Sequence, residues 1–137
     1  MLTPIELGEI LKKGFPLLDC SLFSVETASL AELLLRRRLA PHDLRPGAIV
    51  SGPTLMDLVD TAGWLHVLTR HGASAHASVT SDLSIHFLAP ARSELLAVCM
   101  FEGGTRLRER YAVHVKTASE TVAIAHLGYA IRQDESA

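Results

Sequence analysis

Near residue 75 the hydrophobic period of the chain switches from about 3.6 residues to 2, and that switch restricts the fold to a buried helix followed by a sheet. Ser51-Gly52-Pro53 reads as a helix start, a capping hydroxyl or glycine followed by proline where its missing N–H is harmless. The residues from Thr54 to Leu68 are apolar nearly all round, which marks a helix enclosed on most sides, and His71-Gly72 ends it. The pattern predicts a central helix over about 53–70. Beyond it, Ala77, Val79, Ser81, Leu83, Ile85 and Phe87 alternate with Ser78, Thr80, Asp82, Ser84 and His86, a strand with one buried and one polar face. Leu95 to Phe101 is apolar on both parities, and Gly103-Gly104 reads as the tight turn into a strand in which Arg106, Arg108 and Arg110 alternate with Leu107, Glu109 and Tyr111. Thr121 to Ile131 makes a last strand. Four strands in meander over about 76–132 give an α+β expectation, an antiparallel sheet wrapped around one long helix.

Ahead of that core, Thr3-Pro4 and the spacing of Ile5, Leu7, Ile10 and Leu11 predict a short amphipathic helix over about 3–14. Ala28 to Leu39 is ambiguous: its leucines favour helix by propensity, while Arg36, Arg37 and Arg38 fit an exposed end or an edge. Pro41 to Gly47 has the residues of a turn. At 137 residues the chain has the size of one domain, and 48% hydrophobic residues supply a core without disulfide or structural metal. Cys20 and Cys99 are expected as free thiols, which suits a reducing cytoplasm. A net charge of -2 offers no field for nucleic acid. Charges interrupt the first fifteen residues, so no signal peptide is expected, and no apolar run is long enough to span a membrane.

Asp60 is the most informative residue, because Met56, Gly63, Trp64 and Val67 place it on an apolar stripe of the central helix. A charge there is costly unless it is paired or used. It reads either as a structural carboxylate or as a functional one. Asp57, one turn earlier, permits a carboxylate pair or reaches solvent or a partner subunit. Gly52 offers a backbone N–H at the positive end of the helix dipole, where an oxyanion can approach; otherwise it is simply a tight turn. The seven histidines show no metal-ligand spacing, and no nucleophile elbow, P-loop or dinucleotide motif occurs. The arginines at 106, 108 and 110 share a strand face that is either solvated or available to phosphates.

The run Arg45-Pro-Gly-Ala-Ile-Val-Ser-Gly-Pro-Thr-Leu-Met-Asp-Leu-Val-Asp60-Thr-Ala, followed by Val79-Thr-Ser-Asp-Leu-Ser-Ile-His-Phe-Leu-Ala-Pro90-Ala, resembles the hotdog-fold acyl-CoA thioesterases of the phenylacetate-degradation type, in the 4-hydroxybenzoyl-CoA thioesterase superfamily. The resemblance covers about 45–131 and implies that Ala28 to Leu39 is the first long strand, against its helix propensity. It implies that Asp60 is nucleophile or general base, that the Gly52 N–H polarises the thioester carbonyl, and that Thr80 or Ser81 helps to place water or the carboxylate. Trp64, Leu55 and Met56 would line the acyl pocket, Ser51 would stand beside the substrate, and Arg92, Arg106 and Arg108 would meet the phosphates of coenzyme A, which enters as part of the substrate rather than as a cofactor.

The chain departs from the family pattern in having Ser51-Gly52-Pro53 for His-Gly-Gly and Arg45 for an upstream Asn or Gln. Those changes remove side-chain donors near the thioester while leaving Gly52 and Asp60. A non-catalytic acyl-CoA-binding protein, or a dehydratase or hydratase, are the alternatives; the latter needs a histidine near the Pro-Gly, where only His42 is close. The resemblance further implies a dimer or tetramer with the site between two subunits, Asp60 of one facing Gly52 of the other.

Overall fold

The computed structural model describes residues 1–105 and 107–134. Helix α1 spans Pro4–Gly14 and begins with a capping box, in which the Thr3 hydroxyl accepts from the Glu6 N–H and the Glu6 carboxylate accepts from the Thr3 N–H. Helix α2 spans Gly52–His71; the Ser51 hydroxyl caps it, and Gly72 ends it at φ 89°. Leu55, Leu58, Val59, Ala62, Leu65, Val67 and Leu68 are all buried, so α2 is enclosed rather than merely amphipathic. Among the described residues no helix is long and apolar enough to cross a membrane.

The strands are β1 (Phe23–Ala28), β2 (Glu32–Arg37), the short ribbon β3 (Leu44–Arg45) and β4 (Ile49–Val50), then β5 (Val79–Phe87), β6 (Leu95–Thr105), β7 (Arg108–Lys116) and β8 (Thr121–Ala130). Six of them form one antiparallel sheet in the order β1-β2-β6-β7-β8-β5, which wraps α2 in a hotdog arrangement. Only β6, β7 and β8 run as a meander. The expectation of four successive neighbours is corrected at β5, which pairs with β8 at the far edge. Alternating polarity identifies a strand but says nothing about which strand lies beside it.

Two other expectations change. The segment Ala28 to Leu39 contains β2, preceded by the unforeseen β1, and the turn between them is closed by the Ser29 N–H donating to the Glu32 carbonyl at 2.8 Å. Leu33 and Leu35 face the core while β1 and β6 pair on either side, and that pairing overrides the helical preference of leucine. Gly103 and Gly104 lie inside β6 rather than forming the turn; Gly104 has φ 125°, and a Cβ there would stand 2.9 Å from the Glu109 Cα.

Arg37 is buried, whereas Arg36 is partly buried and Arg38 exposed. Its guanidinium donates in parallel to both oxygens of Asp43, at 2.9 and 2.8 Å. Asp43 also accepts from the Ala40 N–H at 2.7 Å and the Thr54 hydroxyl at 3.3 Å, and its carbonyl accepts from the Ser51 N–H at 2.8 Å. Burial alone would raise the Asp43 carboxyl, but the Arg37 and Ala40 hydrogen bonds and the Arg37 charge outweigh it and hold the group below its ordinary range. This pair fixes the loop leading into the start of α2.

Inside the core, His66 on α2 engages both ring nitrogens: Nε2 lies 3.1 Å from the Ser29 carbonyl and Nδ1 3.3 Å from the Cys99 Sγ. A carbonyl only accepts, so Nε2 carries the proton and Nδ1 accepts from the Cys99 thiol. Burial, opposed by the Ser29 carbonyl, brings the His66 pKa down to about 4. The unfolded chain, with an ordinary value near 6.5, therefore binds the proton first. Stability contributed by neutral His66 is complete above pH 6.5 and drains away as pH falls toward 4, to a limit of about 3 kcal/mol. Urea denaturation between pH 7 and pH 4.5 should show this loss in the wild type and a smaller one in His66→Gln; equal slopes would mean that His66 protonates without cost.

Candidate active site

Asp60 lies two turns into α2, half-buried, at the edge of a cavity of about 490 Å³. Its Oδ1 accepts from the Thr80 hydroxyl at 2.6 Å, and the Tyr129 hydroxyl, with one proton to share, lies 2.6 Å from Oδ1 and 2.7 Å from the Asp60 main-chain carbonyl. No described group donates to Oδ2. The carboxylate is thus fastened by one oxygen and open at the other, and among the described residues it is not neutralised in an ion pair. Asp57 lines the same cavity; desolvation raises its carboxyl above the ordinary range, Arg37 draws it down, and Asp60 reinforces the rise.

A backbone irregularity brings Thr80 to Asp60. In β5, Thr80 pairs with Tyr129 and Asp82 with Gly128, so Ser81 is an extra residue in a β-bulge. Strict alternation would put Ser81 on the same face as Leu83 and turn Thr80 outward. The bulge reverses the phase: Thr80 faces the helix, while Ser81 is exposed and donates to the Asp82 carboxylate at 3.3 Å. Of the two hydroxyls implied by the resemblance, the structure brings only Thr80 to the site.

Tyr129 is the site residue that sequence patterning does not single out. Its ring rests on α2 at Gly63, where a Cβ would come within 2.8 Å of the ring Cε2 and 3.2 Å of the hydroxyl. A glycine inside a helix costs about 1 kcal/mol relative to alanine, so this one is the available signal that something approaches the helix closely. Trp64 forms the next part of the wall with Leu11, Phe15, Leu18 and Val79; its Nε1 donates to the His76 carbonyl at 3.1 Å, and the Phe15 ring meets it edge-on at 5.4 Å.

Gly52 lies elsewhere. Eight residues at about 1.5 Å each separate it from Asp60 by about 12 Å along the helix. It lines a second cavity, of about 550 Å³, with Arg45, Ile49, Val50, Leu55, Phe87 and Pro90. The Ser51 hydroxyl accepts from the Thr54 N–H and lies 2.8 Å from the Thr54 hydroxyl, so Ser51 is engaged as a cap. Pro53 has no N–H, and no described group accepts from the Gly52 N–H, which leaves it the open donor of the first turn. Arg92 follows Ala91 at the rim of this cavity, Met56 is exposed and lines neither cavity, and Arg108 is exposed on β7 opposite Ala130. Arg106 lies outside the described residues. Among the described residues no cluster of histidine, cysteine and carboxylate side chains forms a metal site.

The family model described as the thioesterase superfamily matches residues 47–124, more than half of the chain. The chain belongs to the thioesterase superfamily. Its fold is similar to that of a candidate thioesterase from Silicibacter sp. TM1040, at 25% identity and TM-score 0.85 over 96% of this chain and 93% of that one. It is also similar to a thioesterase of Haemophilus influenzae, at 14% identity and TM-score 0.83 over 97% and 92% of the two chains. A variant of the phenylacetic acid degradation protein of Thermus thermophilus matches at 19% identity and TM-score 0.71 over 82% and 95%. No curated protein matches the chain.

In this superfamily member the glycine at the start of α2 is not demanded by its own packing. A Cβ on Gly52 would meet only the Phe87 Cζ, at an ordinary 3.6 Å. Gly52→Ala should therefore keep its unfolding free energy to within about 0.5 kcal/mol of wild type in urea denaturation. Gly104→Ala, by contrast, should lose more than about 1 kcal/mol to its left-handed backbone. Equal losses in the two variants would make Gly52 a packing glycine.

Proposed function

We propose that this protein hydrolyses acyl-CoA thioesters, with Asp60 as the reacting carboxylate and the Gly52 N–H as donor to the thioester oxygen. The observation that carries this reading is the Asp60 carboxylate, fastened through Oδ1 and open at Oδ2 over a cavity with an apolar wall, in a chain of the thioesterase superfamily. Two routes use the same geometry. In one, Asp60 attacks the carbonyl, the coenzyme A thiolate leaves, and water hydrolyses the resulting anhydride. In the other, Asp60 takes a proton from water, the hydroxide adds to the carbonyl, and the thiol departs with that proton. In both, negative charge develops on the thioester oxygen, where a backbone N–H at a helix start is a stabilising donor. Leu11, Phe15, Leu18 and Trp64 form a wall suited to an acyl group larger than acetyl, and Arg45, which lines the second cavity, and Arg92, next to its lining residue Ala91, are the cations offered to coenzyme A phosphates.

One chain does not bring Gly52 and Asp60 to a single carbonyl, since they lie about 12 Å apart along α2 and open into different cavities. The reading therefore includes self-association, as a dimer or a pair of dimers. The surface supports it: Met56, Val79, Phe87 and Leu88 are large exposed apolar residues on α2 and on or next to the unpaired edge strand β5. A two-fold pairing creates two sites, each with Asp60 from one subunit and Gly52 from the other.

Thiol release from a panel of acetyl, medium-chain, long-chain and aromatic acyl-CoAs should show turnover favouring the larger acyl groups, and Asp60→Asn should lower kcat roughly 10²–10⁴-fold with the fold intact. Near-normal turnover by that variant would reject Asp60, and bound but unhydrolysed acyl-CoA in the wild type would make the protein a binding module. Subunit mixing tests the shared site. Asp60→Asn and Gly52→Val chains, each inactive alone, should regain about a quarter of wild-type activity when refolded together, because mixed dimers have one undamaged site. No recovery would place the whole site within one chain.

A further inference from the structure

We propose that Tyr129 is a positioning residue for Asp60, admitted to the helix by Gly63, and that together with Thr80 it reserves Oδ2 as the oxygen that reacts. The inference rests on the reading of Asp60 as the reacting carboxylate.

An aspartate has two equivalent oxygens and two free torsions, so an unrestrained carboxylate presents either oxygen in many directions. Here two hydroxyls converge on one of them, each at 2.6 Å. They come from directly paired residues, Thr80 on β5 and Tyr129 on β8, which share a face of the sheet, and the bulge at Ser81 is what makes Thr80 rather than Ser81 the partner of Tyr129. The Tyr129 hydroxyl also lies 2.7 Å from the Asp60 main-chain carbonyl, so it holds backbone and side chain of one residue together. The ring that delivers it lies against the helix at Gly63, one turn beyond Asp60, and any β-carbon there would press on the ring and the hydroxyl. Tyr129 is buried and its ring packs edge-on against Tyr111. Burial, reinforced by the Asp60 charge, raises the phenol well above its ordinary range, so the hydroxyl remains a donor wherever the protein is folded.

A purely structural tyrosine would tie the last strand to the helix and leave the chemistry untouched. A positioning tyrosine acts on kcat and on the acid side of the pH profile, because a carboxylate that loses a donor becomes easier to protonate. Asp57, which feels the Asp60 charge, and His76 also line the cavity, and neither shares a hydrogen bond with the Tyr129 hydroxyl.

The experiment measures kcat, KM and the pH dependence of kcat/KM for Tyr129→Phe, Gly63→Ala, Thr80→Val and Asp60→Asn, with the best acyl-CoA of the panel as substrate. Tyr129→Phe should lower kcat about 10- to 30-fold at little-changed KM and move the acid limb to higher pH. Gly63→Ala, which displaces the same ring from the helix side, should reproduce both effects and does so even where Tyr129→Phe fails to fold. Thr80→Val should act in the same direction. Wild-type kcat and an unmoved acid limb in folded Tyr129→Phe or Gly63→Ala, with Asp60→Asn inactive, would overturn the inference alone. Full turnover by Asp60→Asn would instead overturn the reading on which it stands.

Discussion

Enclosure of α2 by the sheet is the constraint on which the remaining structure depends. A helix wrapped on nearly every side must be apolar, and each polar group it carries inward must find a partner there or destabilise the fold. His66 and Asp60 on α2 meet this demand in different ways. His66 has both ring nitrogens engaged, by the Ser29 carbonyl and the Cys99 thiol, and lines none of the cavities described above, so it is held neutral and inert. Asp60 has one oxygen engaged and the other open over a cavity. The same physical demand thus yields a core histidine in one place and a candidate reacting group in the other, and the unsatisfied oxygen is what separates them.

The partners of Asp60 come from local departures from regular structure. A regular β5 would turn Thr80 outward, and an alanine at 63 would hold the Tyr129 ring off the helix. Each departure weakens its own element, the bulge by leaving a residue unpaired in the ladder and the glycine by loosening the helix. Irregularities of this sort persist where the geometry they produce is used, and here both converge on one carboxylate oxygen. At the other end of α2 the effort goes into rigidity: the Arg37–Asp43 pair, the Thr54 hydroxyl and the Ser51 cap fix the turn that carries the Gly52 N–H.

Much of this is legible in the sequence, for identifiable reasons. Caps and periodicity mark α1 and α2 because an N-terminal hydroxyl, an early proline and a terminal glycine each act locally. Asp60 stands out because an acid on an apolar stripe is anomalous at any position. Strand β1 escapes such a reading because Phe23–Ala28 is short and its polar residues obscure the alternation. Arg37 passes for one of three exposed arginines because its partner Asp43 lies across a loop, and β5 lies beside β8 rather than β6 because polarity does not specify pairing. The bulge at Ser81 leaves no mark on composition, so the choice between Thr80 and Ser81 requires the register. Tyr129 is sixty-nine residues from Asp60, and only Gly63 hints that a ring lies there.

The rigidity of α2 also bears on how many chains the chemistry needs. A straight helix holds Gly52 and Asp60 about two turns apart whatever the loops around them do, so no closure within one chain can bring the open N–H to a carbonyl poised over the carboxylate. Two helices related by a two-fold axis can, because antiparallel passage sets the start of one beside the middle of the other. The apolar residues that such a pairing would cover are the large ones this chain leaves exposed along α2 and beside β5, next to a strand whose outer hydrogen bonds are unpaired. In the proposed reading, interface and active site are therefore one requirement, because the helix that keeps Gly52 and Asp60 two turns apart leaves their meeting to a second chain.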